Sequence, residues 1–127
     1  MSIITFRHKG NFDKTVSFFE AARKKRYFDV LGKYAQEGVD ALSRATPKDT
    51  GLAASSWYYE LGLSGGYYSI TWLNSDIENG FPVAIKLQYG HGTGTGGYVQ
   101  GVDYINPAIK PVFDKIAAAV WKEVQSL

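Results

Sequence analysis

The sequence of 127 residues contains no cysteine, which excludes disulfide bonds and thiolate metal sites. It also lacks an excess of charge, because 14 basic and 12 acidic residues give a net charge of only +2. So small an imbalance does not by itself favour a nucleic acid or a membrane surface as a partner. No apolar run approaches the roughly 20 residues of a membrane span. We therefore expect a soluble intracellular protein with no membrane partner.

Apolar side chains are plentiful: hydrophobic residues make up 45% of the chain and aromatic residues 15%. This is enough for one core, and the length suits one domain rather than two. We therefore expect a single domain over residues 1–127. Residues 1–26 would form a strand or arm and a short helix, and residues 27–127 would form the core.

The clearest helix pattern covers residues 27–45, where apolar residues follow one helical face. This stripe comprises Tyr27, Leu31, Tyr34, Ala35, Gly38 and Leu42. Gly38 on the stripe would allow another backbone to approach closely. Residues 13–22 predict a shorter helix, and the basic run at 23–26 then predicts a solvated joint between the two helices. Asn106-Pro107 predicts the start of a last helix, with Asn106 as N-cap and Pro107 as its first residue.

Strand patterns lie between these helices. Residues 54–63 and 67–73 flank Gly65-Gly66 and predict a β-hairpin whose Trp57, Tyr59, Tyr68 and Trp72 face a core. Residues 2–8 predict a short strand at a sheet edge or a terminal arm. Residues 81–89 predict a short helix, with a third strand as the alternative. Together the patterns predict an α+β domain, in which helices flank a small antiparallel sheet.

Residues 87–107, LQYGHGTGTGGYVQGVDYINP, are dense in glycine. Such density disfavours a packed helix or a central strand, because each glycine loses much backbone entropy on folding. We therefore expect a long flexible loop at 90–104 that becomes ordered against a partner. The aromatic residues Tyr89, Tyr98 and Tyr104 at its ends favour this hypothesis over a surface loop without a role.

The sequence contains no convincing motif for catalysis or for binding a cofactor. Gly92, Gly94 and Gly97 match G-x-G-x-x-G, but a dinucleotide site needs that motif between a strand and a helix. The two histidines, His8 and His91, lack the spacing of metal ligands. We therefore predict no enzyme activity, no cofactor and no metal. The remaining alternative is a small nucleic-acid-binding protein that uses exposed aromatic residues and the basic run Arg23, Lys24, Lys25 and Arg26.

Three blocks of sequence resemble a known family when taken in order. The first is Thr46-Pro47 followed by Asp49-Thr50-Gly51 and Ser56-Trp57, similar to a "TP-x-DTG…S-W" region. The second, LQYGHGTG at 87–94, is similar to a "Y/F-G-T" segment, and the third, YINPA at 104–108, to an "R-P-F-L-x-P-A" entry to the last helix. The family is that of the head–tail joining proteins (neck, minor capsid or tail-completion proteins) of long-tailed bacteriophages and prophages. The chain departs from the family pattern at two places. Leu52 stands where many members have a basic residue after Asp-Thr-Gly. Asp103-Tyr104 stands where the usual Arg-Pro precedes the last helix.

The resemblance implies a structural virion protein without a cofactor. Such proteins form a homo-oligomeric ring around the DNA channel where head meets tail, after assembly in the host cytoplasm. The implied partners are further copies of the chain and other phage head-completion and tail proteins. Packaged DNA would be close to the ring only transiently. The candidate assembly contacts are Gln88, Tyr89, His91, Gly92, Gly94, Gly97, Tyr98 and Asp103, and the turn motif comprises Thr46, Pro47, Asp49, Thr50 and Gly51.

Overall fold

The structure, a computed structural model, describes residues 4–9, 17–48 and 51–125, and the side chains in these ranges except at 8, 9, 17–23 and 123–125. The described residues form an α+β fold, as the sequence predicts. Its elements are β1 (Ile4–Lys9), α1 (Ser17–Ala45), β2 (Trp57–Ser64), β3 (Tyr67–Asn74), β4 (Ile77–Glu78), β5 (Phe81–Pro82), α2 (Val83–Tyr89), β6 (Gly90–Gly92), β7 (Tyr98–Gln100) and α3 (Ile105–Gln125).

The main sheet is antiparallel, with strand order β1-β3-β2. β2 and β3 form the predicted hairpin, in register from Trp57 opposite Asn74 to Ser64 opposite Tyr67. Gly65 and Gly66 make the two-residue turn, with φ of +58° and +81°. Positive φ at both central positions suits a tight hairpin turn that follows the twist of the strands. β1 lies at the sheet edge, which confirms the prediction for residues 2–8 within the described part.

One face of the sheet packs against α1 and α3, and the core lies between them. The stripe predicted on α1 is confirmed, since its members are buried apart from the half-buried Tyr34. Phe113 of α3 stacks against Phe6 of β1 and Trp72 of β3, with ring centroids 5.7 and 5.8 Å apart. Each large apolar side chain buried in this way stabilises the fold by roughly 1.5–3 kcal/mol.

α1 corrects the prediction of two helices with a joint at residues 23–26. It runs without interruption through these residues as one helix of 29 residues. Lysine and arginine are good helix formers, so a basic run does not end a helix unless proline or glycine accompanies it. Residues 13–16 of the predicted first helix lie outside the described residues.

The connection between the main sheet and α2 contains a second, two-stranded sheet. β4 and β5 pair around Asn79 and Gly80, whose φ values are +52° and +75°. α2 then begins at Val83, with Pro82 as its N-cap. The predicted short helix at 81–89 is therefore confirmed, with its start moved by two residues.

Candidate assembly surface at the glycine-rich hairpin

The glycine-rich segment forms a small hairpin rather than the uninterrupted loop that its composition suggested. Strands β6 and β7 pair from Gly90 opposite Gln100 to Gly92 opposite Tyr98. Across the tip, the Thr93 N–H donates to the Gly97 carbonyl at 3.0 Å. The Thr93 hydroxyl oxygen in turn accepts a 3.2 Å hydrogen bond from the Gly97 N–H. A hairpin suits this sequence because side chains would crowd its base. We call residues 90–101 the glycine-rich hairpin.

The base of the glycine-rich hairpin is held tightly against the end of α2. A Cβ atom built on Gly101 would lie 2.5 Å from the backbone nitrogen of Gly90 and 2.6 Å from the carbonyl oxygen of Gln88. The Val102 N–H donates to the Leu87 carbonyl at 3.0 Å. The Tyr98 hydroxyl donates to the Tyr89 carbonyl at 3.0 Å. These contacts fix the direction in which the hairpin leaves the domain.

Gln88 fixes the other side of the base by capping α3. Its Oε1 atom accepts 2.9 Å hydrogen bonds from the backbone N–H groups of both Tyr104 and Ile105. Its Nε2 atom donates to Asp103 Oδ1 at 2.8 Å, and the same carboxylate oxygen accepts from Asn106 Nδ2 at 3.0 Å. The first N–H groups of a helix have no partner within the helix, so an outside acceptor stabilises its start. α3 therefore begins at Ile105, and the predicted N-cap at Asn106 is wrong.

The glycine-rich hairpin and the residues on either side of it, 89 and 102, carry no charge and expose several apolar side chains. Tyr89, Tyr98 and Val102 are each more than half exposed, and Val99 is nearly so. Residues 89–102 contain no aspartate, glutamate, lysine or arginine. Surfaces that form the centre of protein–protein interfaces are likewise poor in charge and rich in tyrosine.

The turn motif and the hairpin segment meet at one cavity of about 250 Å³. Pro47 and Gly51 line it from the turn motif, and Leu87 and His91 line it from α2 and β6. The other lining residues are Leu52, Ala53, Asp76, Glu78, Val83 and Lys86. Two of the three sequence blocks that resemble the phage family are therefore adjacent in space, although about 40 residues separate them in the chain.

Thr46 of the turn motif has a structural role. Its buried hydroxyl donates to the Leu42 carbonyl at 2.6 Å and accepts a 2.8 Å hydrogen bond from Trp57 Nε1. The motif thus fastens the end of α1 to the start of β2. Gly51, with φ of +84°, lies in the turn that follows, whereas Asp49 and Thr50 lie outside the described residues.

The basic run lies on the first half of α1, where Lys24, Lys25 and Arg26 are exposed. The side chain of Arg23 is outside the described part of the structure. Trp57, Tyr68 and Trp72 are buried against the helices, as predicted, so these rings are not available to stack on bases. Of the aromatic set that faces the core, Tyr59 alone is half-buried.

Among the described residues, no group of three or more His, Cys, Asp and Glu side chains is placed to hold a metal ion. His91 Nδ1 is buried, and no described residue hydrogen-bonds to it. Gly92, Gly94 and Gly97 lie in a hairpin and not between a strand and a helix, so the geometry of a dinucleotide loop is not formed. No described helix is both long enough and apolar enough to span a bilayer.

Comparison of the chain with protein-family models, curated proteins and solved structures gave no match.

The structure separates the candidate contacts into three groups, of which one is His91 alone, half-buried at the cavity. Tyr89, Tyr98, Gly92, Gly94 and Gly97 lie on the exposed hairpin or beside it. Gln88 is buried, and both ends of its amide are used inside the chain, so it positions the surface and does not belong to it. Asp103 is exposed, yet its Oδ1 atom serves the same network.

Proposed function

We propose that this chain is a structural component of the head–tail connector of a long-tailed phage. It would act as a neck or tail-completion protein that forms a ring around the DNA channel. The exposed, uncharged surface at and beside the glycine-rich hairpin carries this proposal, together with the resemblance of the three sequence blocks. A protein that binds several neighbours benefits from surfaces without charged groups, because no charge then has to be removed from water on contact. Tyr98, Val99 and Val102 are exposed on such a surface.

The tight base of the hairpin supports the same role. A projecting segment held in one direction loses less conformational entropy on binding than a free loop, which improves affinity. The expected ordering of residues 90–104 against a partner stays a prediction, and the tip at Gly94 and Gly96 is exposed. A Cβ atom built on either glycine would meet nothing within 4 Å.

A structural role also agrees with the modest net charge of +2. Phosphate contacts release counterions and strengthen binding to DNA, which would oppose the passage of a genome through a ring. The exposed Lys24 and Lys25 leave nucleic-acid binding as the second candidate function. A mobility shift with double-stranded DNA that weakens steeply with salt would favour that candidate over the connector role.

Complementation in vitro tests the connector role. Lysates of a phage that lacks this gene would be examined by negative-stain electron microscopy, with and without the purified protein. We expect separate full heads and complete tails that become joined particles when the protein is added. Joined particles in the untreated lysate would refute the role. Protein carrying Val99→Lys and Val102→Lys should fail to join them, whereas a Lys24→Ala and Lys25→Ala protein should succeed.

A further inference from the structure

The main sheet has two outer strands, β1 and β2, and β2 offers a long free edge. Within the described residues, no strand pairs with the outer side of β1 or of β2. β2 is eight residues long and pairs with β3 throughout without a bulge. It contains no proline, and Glu60 is its one charged residue. Proteins commonly protect a long edge with proline, a bulge or several charges, because its free N–H and C=O groups can pair with another chain.

The charges on the two edges are opposite. Ile4, Phe6, Tyr59 and Leu61 pack towards the core, so the alternating residues of β1 and β2 lie on the open face of the sheet. On that face, Arg7 is exposed on β1 and Glu60 is exposed on β2. β1 contains no acidic residue and β2 contains no basic residue.

This arrangement distinguishes two ways in which copies of the chain could join. A two-fold axis would pair β1 with β1 or β2 with β2, and would bring like charges into the same ladder. Head-to-tail pairing of β2 with β1 of the next copy would instead bring Glu60 beside Arg7. Opposite charges across neighbouring strands are stabilising and like charges are destabilising, so the charges favour the head-to-tail arrangement.

The apolar side chains along the two edges also favour the pairing of β2 with β1 of another copy. Beside β1 lies a groove of about 290 Å³, lined mainly by apolar residues of β1, α2 and α3, including Ile4, Ile85, Ile105, Ile109 and Phe113. On β2, the helix-facing side chains of Tyr59, Leu61 and Leu63 are only half-buried in their own chain. A second copy of β2 laid along β1 would bring these side chains beside the groove.

We propose that the edge of β2 pairs in parallel with the edge of β1 in a second copy of this chain. β1 and β2 run in the same direction, because each is antiparallel to β3. Rotation about a ring axis preserves the direction of strands that run along that axis, so neighbouring copies meet through parallel edges. Repetition of this heterologous contact gives a closed ring or, where the rotation does not close, a filament. The closed ring rests on the proposed function, whereas the edge contact does not.

Disulfide trapping tests the contact directly, since the chain has no cysteine of its own. With Arg7 beside Glu60 in a parallel pair, Thr5 lies beside Tyr58. A Thr5→Cys protein and a Tyr58→Cys protein of different tagged mass would be mixed in equal amounts, oxidised and weighed. Neighbouring strands place such residues within the Cα separation that a disulfide allows. We expect the mixed dimer to exceed each homodimer at least about fivefold, against twofold for random collision.

Three controls make the result specific. A Ser64→Cys protein mixed with Thr5→Cys should give no excess of mixed dimer, because Ser64 lies six residues, or about 20 Å, further along β2 than Tyr58. Adding Arg7→Glu to the Thr5→Cys protein should lower the mixed dimer about fivefold. Adding Glu60→Arg to its partner should restore it, and circular dichroism would confirm that each variant is folded.

A random ratio of dimers, an excess of either homodimer, or no cross-link would overturn the edge contact. The complementation assay separates this failure from that of the proposed function. Head–tail joining without mixed dimers would reject the edge contact alone. Mixed dimers without any effect on joining would keep the contact and reject the connector role.

Discussion

The indole ring of Trp72 packs directly on the backbone of α1 at Gly38. A Cβ atom built on Gly38 would lie 2.6 Å from the indole nitrogen and 2.7 Å from two ring carbons. The same nitrogen donates a 2.9 Å hydrogen bond to the Ala35 carbonyl, and the ring is fully buried. The sequence suggested that Gly38 admits another backbone, but it admits a side chain from the central strand.

This contact predicts that Gly38→Ala destabilises the protein, although alanine is the better helix former by roughly 1 kcal/mol. Overpacking in a filled core costs about 1–3 kcal/mol, so after the gain in helix propensity we expect the free energy of unfolding to fall by up to about 2 kcal/mol. Gly32→Ala is the matched control, because its nearest neighbour would be Leu61 Cδ1 at 3.7 Å. For Gly32→Ala, urea denaturation should show that the free energy of unfolding rises by up to about 1 kcal/mol. Equal effects at both glycines would contradict the packing argument.

The capping of α3 by Gln88 predicts a second large effect. Gln88→Leu keeps a side chain of similar size but leaves the buried N–H groups of Tyr104 and Ile105 without an acceptor. Each such group costs about 1–3 kcal/mol, so we expect a total loss of about 2–6 kcal/mol in thermal or urea unfolding. Gln36→Leu on the exposed face of α1 is the control, because it loses only the 3.1 Å hydrogen bond to Asp40. A mild effect at Gln88 would show that α3 begins without this cap.

Local sequence patterns were sufficient to predict the fold class, the apolar stripe on α1 and the hairpin around Gly65-Gly66. Each depends on residues close in sequence, and periodicity reports such elements directly. The role of Gln88 could not be predicted in this way, because its amide bonds backbone groups 16 and 17 residues further along the chain. The sheet formed by β6 and β7 was also missed, since glycine weakens strand propensity and only close packing at the base explains its use there.

Tyr104 gives the stability of the protein a specific dependence on alkaline pH. Burial raises the pKa of its hydroxyl from 10.0 to about 12, although a hydrogen bond with Thr46 opposes the rise. Between pH 10 and 12 the unfolded chain has lost a proton that the folded chain keeps. The stabilisation from neutral Tyr104 is therefore complete below pH 10 and is lost as the pH rises through 12.

The matching experiment compares wild-type protein with Tyr104→Phe by urea unfolding from pH 8 to 12. At pH 8 the variant should be less stable by about 1 kcal/mol, because it loses the hydrogen bond to the Ala84 carbonyl. This difference should shrink between pH 10 and 12, where only the wild-type protein pays the ionisation penalty of this hydroxyl. Tyr58→Phe at an exposed site controls for general alkaline effects. A difference that is independent of pH would contradict the argument.

The close packing at the base of the glycine-rich hairpin predicts that a substitution at Gly101 changes both the structure of the hairpin and the assembly of the protein. Gly101→Ala would place its Cβ atom 2.5 Å from Gly90 N and from the carbonyl carbon of Tyr89. Because both are backbone atoms, no side chain can move to relieve the contact, and the hairpin must shift away from α2. We expect faster amide hydrogen exchange at Val102, whose N–H bonds the Leu87 carbonyl.

Gly92→Ala is the control within the same hairpin, because its nearest neighbour would be a carbonyl oxygen at 3.9 Å. Its Val102 exchange should match that of the wild-type protein. If neighbouring copies recognise the direction in which the hairpin projects, Gly101→Ala should lose complementation while Gly92→Ala keeps it, although both add one methyl group. Unchanged exchange at Val102 in Gly101→Ala would show that the base tolerates a side chain. Altered exchange with full complementation would instead show that assembly does not depend on the hairpin's direction.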